Sequence, residues 1–263
     1  MERPNRPFDP FRVRRSCLAV PASSERFIEK AHGLPADEVF LDLEDAVAPA
    51  AKAQARANAA AAVAGNWGGR VLAVRVNDAS SQWAHRDVIE DAGGLAAVNA
   101  IAAASPRLDA LVFGPADFMA SVGIRSLDVG GQPSGYAGGD VYHYALMRIL
   151  IAARARGLQA IDGPYLKVRD TDGFRRSAAS AAALGYDGKW VLHPDQIDAA
   201  NEAFAPSPAD FARATRIIEA YAHATGVEAR GAVMLGDEMI DEASHKMARA
   251  IVAKGRAAGL TAP

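Results

Sequence analysis

Four short apolar runs in this chain each end in a group able to do chemistry, and this pattern restricts the fold more than any other feature. Ala110-Leu111-Val112-Phe113 continues through Gly114-Pro115-Ala116 to Asp117, which reads as the end of a strand aimed into a site. Val39-Phe40-Leu41 leads into Asp42-Leu43-Glu44-Asp45, Val71-Leu72-Ala73-Val74 into Arg75-Val76-Asn77, and Trp190-Val191-Leu192 into His193. Continuous β-type runs of this kind belong to buried parallel strands, and the Gly-Pro pair after Phe113 stops any helix. In α/β barrels and open α/β sheets alike, sites are built at the C-terminal ends of the strands. The chain reads as an enzyme.

Between the runs lie alanine-rich helical stretches. Ser16 to Val20 is a first strand closed by Pro21, and Ser23 or Ser24 can cap a helix through Ala31. Pro49 opens a helix to Val63, Tyr142 to Arg156 is helical, and Gln159-Ala160-Ile161-Asp162 is another strand ending in a carboxylate. Phe174 to Leu184 is helical and stops at Gly185. Six strands are expected in all, near residues 17, 40, 73, 112, 160 and 191. The Gly-rich stretch Gly123 to Gly139 is too long for a mere connector and reads as a mobile active-site loop. This alternation implies parallel strands with right-handed crossovers. Residues 1–204 form one α/β domain on this reading. Residues 205–263 form a helical extension, with a start signal at Ser207-Pro208-Ala209-Asp210, a hairpin-like stretch from Gly226 to Gly236 and a last helix from Asp241 to Ala258.

Six strands are too few for a closed eightfold barrel. A βα unit takes ~30 residues, so eight need ~240, whereas the strand-bearing part spans Arg15 to Phe204. One mostly helical segment joins the strands on either side of Asn77 and Asp109. Either a barrel is incomplete or the sheet is open.

The balance of charge excludes several function classes. With 263 residues, half of them hydrophobic, and a net charge of −2, nothing favours nucleic acid or an anionic membrane. A single cysteine, Cys17, rules out an internal disulfide and a cysteine-rich zinc site, and suits a reducing, cytoplasmic setting. No apolar stretch approaches the ~20 residues of a membrane span. Met1 to Arg15 is rich in Arg and Pro, lacks the apolar core of a signal peptide, and reads as a surface arm.

Seven segments stand out in order: Arg15-Ser16-Cys17-Leu18-Ala19-Val20-Pro21, Phe40 to Val47 with Lys52 and Arg56, Val74-Arg75-Val76-Asn77, Phe113-Gly114-Pro115-Ala116-Asp117, Ile161 to Tyr165, Gly188 to Pro194 and Met239-Ile240-Asp241. Together they resemble the CoA-ester lyases of the HpcH/HpaI aldolase and citrate lyase β-subunit family, and within it the malyl-CoA/β-methylmalyl-CoA lyase branch. The resemblance implies a TIM (β/α)8-type barrel with a C-terminal helical extension, Mg²⁺ or Mn²⁺ as cofactor, and a homotrimer or homohexamer. Relative to that family about two β/α units are lacking between Val88 and Asp91, so that Glu90 keeps its motif position but is fused directly to the helix before the gap rather than carried on its strand.

The reaction so implied is retro-aldol cleavage of a β-hydroxyacyl-CoA to an acyl-CoA and a 2-oxo acid such as glyoxylate. The resemblance makes Glu90 and Asp117 the metal ligands, Arg75 and Asp241 the catalytic residues, and Asp241 a general acid/base reaching a neighbouring subunit. It places Ala19, Val20, Lys30, Ala116, Leu192 and His193, with Arg75, along the CoA ester. Glu44, Asp45 and Asp162 stand behind these as supporting carboxylates. Each residue also has a plainer reading. Asp117 and Asp241 suit helix starts, Glu90 and Lys30 solvated helix positions, and His193 a turn before proline. Arg75 suits a structural pair with Glu44 or Asp45, one of which could instead pair with Lys52 or Arg56, and Asp162 suits structural pairing equally well. A malyl-CoA thioesterase using the same site, or a truncated paralogue without catalysis, are the competing functions.

Overall fold

The computed structural model describes residues 12–75, 88–105, 108–226 and 231–261. The amino-terminal arm up to residue 11, the end of the third run at Val76 and Asn77, and residues 83–87 before the expected gap lie outside the described residues. The chain divides into two compact units, Arg14–Phe204 and one built on Ala205–Pro263.

The first unit alternates strands and helices: β1 (Ser16–Pro21), α1 (Glu25–His32), β2 (Glu38–Asp42), α2 (Lys52–Val63) and β3 (Val71–Arg75), then β4 (Val88–Ile89), α3 (Ala92–Ala96), α4 (Val98–Ala102), β5 (Ala110–Phe113) and α5 (Pro115–Val122). It continues with α6 (His143–Arg154), β6 (Gln159–Asp162), α7 (Thr171–Leu184), β7 (Gly188–Val191) and α8 (Ile197–Ala203). Local chemistry sets several of these boundaries. The Ser24 hydroxyl accepts from Phe27 N–H to start α1, and the Asp170 carboxylate accepts from Gly173 N–H to start α7. Gly185 ends α7 at φ 108°, a left-handed conformation that favours glycine.

The strands form one parallel sheet in the order β3-β2-β1-β7-β6-β5-β4. Side chains alternate between two layers. Leu18, Val20, Val39, Leu41, Ile89, Leu111, Phe113, Ala160 and Val191 join the helices in the main core. Cys17, Phe40, Ile161 and Trp190 pack together on the other face, with Ala19, Ala73, Val112 and Leu192. That face is concave. In a flat sheet β3 and β4, six steps apart, would be separated by about 29 Å. Yet Arg75 Nη2 on β3 lies 4.0 Å from Glu90 Oε2, directly after β4. Neither side chain could bridge such a gap, so the sheet curls until its edges approach. Among the described residues no ladder joins β3 to β4.

Two expectations are corrected here. The sheet has seven strands, not six, because Val88–Ile89 forms a two-residue strand paired to β5 in the register Val88↔Val112 and Ile89↔Phe113. Glu90 is therefore not carried on a helix; it follows a strand, one residue before the Asp91 that caps α3.

In the second unit, α9 (Pro208–Gly226) and α10 (Glu242–Ala257) pack on Phe211, Ala214, Ala248 and Val252. A Cβ on Gly255 would fall 2.3 Å from the Phe211 ring, so this close packing of the helices requires glycine. The hairpin β8 (Val233–Leu235) and β9 (Glu238–Ile240) turns at Gly236, φ 63°, and so lies later than the stretch expected from Gly226 to Gly236.

Candidate active site

Alternation along the strands selects what the concave face carries. Phe40 and Asp42 on β2, Arg75 on β3 and Trp190 on β7 share its parity, with Glu90 following β4. Arg75 is the hub. Its Nη2 lies 2.7 Å from Glu44 Oε2 and 2.7 Å from Asp45 Oδ2, and its Nη1 lies 3.4 Å from Asp42 Oδ2. The guanidinium carbon stands 5.0 Å from the Trp190 ring centroid, and Phe40 meets that ring edge-on at 4.8 Å and 83°. Burial of Arg75 opposes its charge, but Asp42, Asp45 and Glu44 outweigh that cost and raise its pKa further. Arg75 Nε and Trp190 Nε1 are buried and have no hydrogen-bond partner among the described residues.

The loop after β2 is built to hold these carboxylates. Asp42, only 2% exposed, accepts from Glu44 N–H at 2.7 Å and Ala46 N–H at 3.4 Å while facing Arg75. Lys52 donates to the Leu43 and Glu44 carbonyls, both at 2.6 Å, so its ammonium ties the loop backbone while Glu44 and Asp45 both turn to Arg75. The sequence alone assigns no role to Asp42 or Trp190. The signal that could have found them is the two-residue alternation that places them on the face of Arg75.

Glu90 directly follows β4, and Asp117 lies in the helix that follows the neighbouring β5. Gly114, just past β5, lies against Glu90, where an added Cβ would fall 2.6 Å from the Glu90 Cβ. Asp117 is not the end of a strand, as expected. The strand stops at Phe113, Pro115 starts α5, and Asp117 stands exposed in the first turn of α5, where an acid suits the helix dipole. Among the described residues no group of three or more His, Cys, Asp or Glu could hold a metal ion. Two carboxylates fit a hard cation such as Mg²⁺, which takes one or two from the protein and completes its shell with water and substrate oxygens.

The remaining candidates divide. Ala19 faces the concave layer, whereas the Val20 side chain is buried in the helix-facing core and leaves only its backbone for a ligand. Lys30 is exposed on the last turn of α1. Ala116 is exposed in the first turn of α5. Leu192 N–H donates to Gln196 Oε1 at 2.9 Å, and His193 caps a 3-10 turn by accepting from Asp195 N–H, the turn role anticipated for it. Asp162 makes a structural pair. Its parity is opposite to that of Ile161, so it points to the helix side, where it pairs with the buried Lys189 away from Arg75. Asp241 caps α10, accepting from Ser244 N–H at 2.9 Å and Ser244 Oγ at 3.1 Å, and the Ser244 amide and hydroxyl lower its pKa.

A curled parallel sheet with its charged groups at the C-terminal strand ends defines a protein of the α/β-barrel enzyme class. The model of the HpcH/HpaI aldolase/citrate lyase family matches residues 15–89 and 87–194, and the chain belongs to that family. It is 34% identical to an L-malyl-CoA/β-methylmalyl-CoA lyase of Cereibacter sphaeroides, with 94% of this chain and 96% of the relative covered. That alignment runs over 305 positions, more than the 263 residues available here. A (3S)-malyl-CoA thioesterase of the same species is 32% identical, with 92% and 95% covered. Among solved structures, the protein CitE of Mycobacterium tuberculosis in complex with magnesium, acetoacetate and coenzyme A superposes with a TM-score of 0.73 at 29% identity, covering 93% of this chain and 98% of that one.

Proposed function

We propose that this chain is a Mg²⁺-dependent carbon–carbon lyase. It would cleave a β-hydroxyacyl-CoA of the malyl, methylmalyl or citramalyl type into an acyl-CoA and a 2-oxo acid such as glyoxylate. The observation that carries the reading is Arg75, a cation held at a strand end between the carboxylates of the β2 loop and Glu90 across the sheet opening. In such a cleavage the bond between the hydroxyl-bearing carbon and the carbon next to the thioester breaks. The hydroxyl proton goes to a base, the carbonyl of the oxo acid forms, and the electron pair passes to the thioester enolate, which takes up a proton to give the acyl-CoA. Arg75 would hydrogen-bond where that negative charge collects, and its unspent Nε–H is a donor suited to the task. Glu90 and Asp117 would hold the Mg²⁺, whose contribution is Lewis-acid polarisation of the substrate oxygen. Asp241 of a neighbouring copy would take the hydroxyl proton as general base. Lys30, with the backbones of Ala19, Val20, Ala116, Leu192 and His193, would line the CoA ester.

We read the sheet as a TIM-type barrel opened between β3 and β4, in a cytoplasmic homotrimer or homohexamer. The long alignment and the family match in two blocks meeting at residues 87–89 support an opening at this place. The thioesterase relative favours a second reading, hydrolysis of malyl-CoA at the same site. Incubation with malyl-CoA, with and without Mg²⁺, separates them. Mg²⁺-dependent glyoxylate without free thiol is expected; free thiol and malate would transfer the assignment to the thioesterase, and neither product would sink both.

A further inference from the structure

The helix-facing side of the sheet holds a cavity of about 440 Å³, opposite in parity to the Arg75 cluster. Its floor is the Lys189–Asp162 ion pair, its walls include Phe113, Tyr142 and Leu146, and Arg176 stands among its lining. The glycine-rich segment after α5 contributes Gly130, Gly131 and Gly139 to it. That segment is fastened down rather than spread over the concave face. Ser177 Oγ donates to the Gly130 carbonyl at 3.3 Å, and Leu166 N–H to the Val129 carbonyl at 3.4 Å. Gly130 has φ 78°, and a Cβ there would meet the Pro164 carbonyl at 2.5 Å, so only glycine lets the segment lie this close.

Lys189, on the floor of this cavity, has hydrogen-bonding capacity unspent among the described residues, and Arg176 offers an exposed cation in its lining. Lys189 is 1% exposed and carries three N–H donors, of which Asp162 takes one. Its ammonium also stands 6.0 Å from the Phe174 ring centroid. A buried ammonium is stable only when its donors are used. Arg176 is exposed, contributes to the cavity lining and lies within electrostatic reach of Asp170. Water alone is a poor filling for a space this size. Waters along the Phe113, Leu146 and Pro115 walls would lack partners, whereas a molecule with an apolar body would not.

We propose that this cavity binds a small organic acid, its carboxylate on Arg176 and an uncharged carbonyl or hydroxyl oxygen on Lys189. The site is separate from the Arg75 cluster and does not depend on the lyase reading. Its test is calorimetric titration of the full chain, without divalent metal, with pyruvate, L-malate and 4-hydroxybenzoate, each of which carries both groups. To silence the concave face, the titrations are repeated in Arg75→Ala. At least one probe is expected to bind at 1:1 stoichiometry and to bind equally well in Arg75→Ala. Arg176→Ala should weaken it by roughly tenfold or more, the worth of a hydrogen bond to a charged group, and Arg176→Lys should restore part of the loss. Ser180→Trp, from another lining position, should fill the cavity and abolish binding. Absence of binding by every probe at millimolar concentration would mean a water-filled cavity and overturn the proposal. So would binding indifferent to Arg176→Ala and Ser180→Trp, or binding lost in Arg75→Ala.

Discussion

Arg75 faces three carboxylates within 3.4 Å, with a fourth at 4.0 Å, and what fixes its plane among them is the Trp190 face beneath it. A desolvated cation–π contact is worth about 2 kcal/mol. Trp190→Leu is expected to lower kcat by up to roughly thirtyfold if that whole contact serves the transition state, while Trp190→Phe, which keeps a ring face, stays near the parent. Equal losses in both variants would show that ring volume rather than the π face matters. Asp117 is the opposite kind of residue, exposed and untouched by the core. Asp117→Asn should leave thermal unfolding unchanged and weaken Mg²⁺ binding by more than the roughly 10–100-fold that loss of an outer-shell partner costs a metal site. Unfolding of the variant, with metal binding intact, would return Asp117 to a structural role.

At the scale of elements, the apolar runs revealed six strands because each is at least four residues long and bounded by turn residues. β4 was hidden. Two residues, Val88 and Ile89, carry no periodicity, and only the ladder to Val112 and Phe113 makes them a strand. Asp162 stays open between a supporting role and a structural pair in the sequence because Gln159 to Asp162 is buried on both faces, so hydrophobicity does not reveal which way the last carboxylate points. The α10 start was legible, since Asp241 followed by a helical pattern is a cap signal. Its depressed pKa gives a pH test. A carboxyl lowered in the folded state stabilises above its unfolded pKa, and that contribution is lost as pH falls through the folded value. Asp241→Ala should therefore be less stable than the parent at pH 7, and the gap should narrow below about pH 4. Denaturant unfolding at pH 7 and pH 3 measures it; a gap that does not narrow would mean the cap does not rely on the ionised carboxylate.

For the whole molecule, the question is whether one chain makes a complete site. Arg75 belongs to the unit Arg14–Phe204 and Asp241 to the unit built on Ala205–Pro263, and each is held by contacts internal to its own unit. Asp241 spends its carboxylate on Ser244, which is enough to account for it as a cap. If it also serves the site of a neighbouring copy, Arg75→Ala and Asp241→Ala proteins are each inactive alone but complement one another. In a randomly mixed closed ring made from equal amounts, a site is whole when its Arg75 comes from the Asp241→Ala chain and its Asp241 from the Arg75→Ala chain. In a trimer that holds both chains one interface in three meets both conditions, so about a third of the parent turnover should return, and about a quarter in a six-membered ring. Co-expression with two different tags, purification over both, and a glyoxylate assay on the mixed species give the number. Mixed oligomers with no recovered activity would confine Asp241 to its own chain.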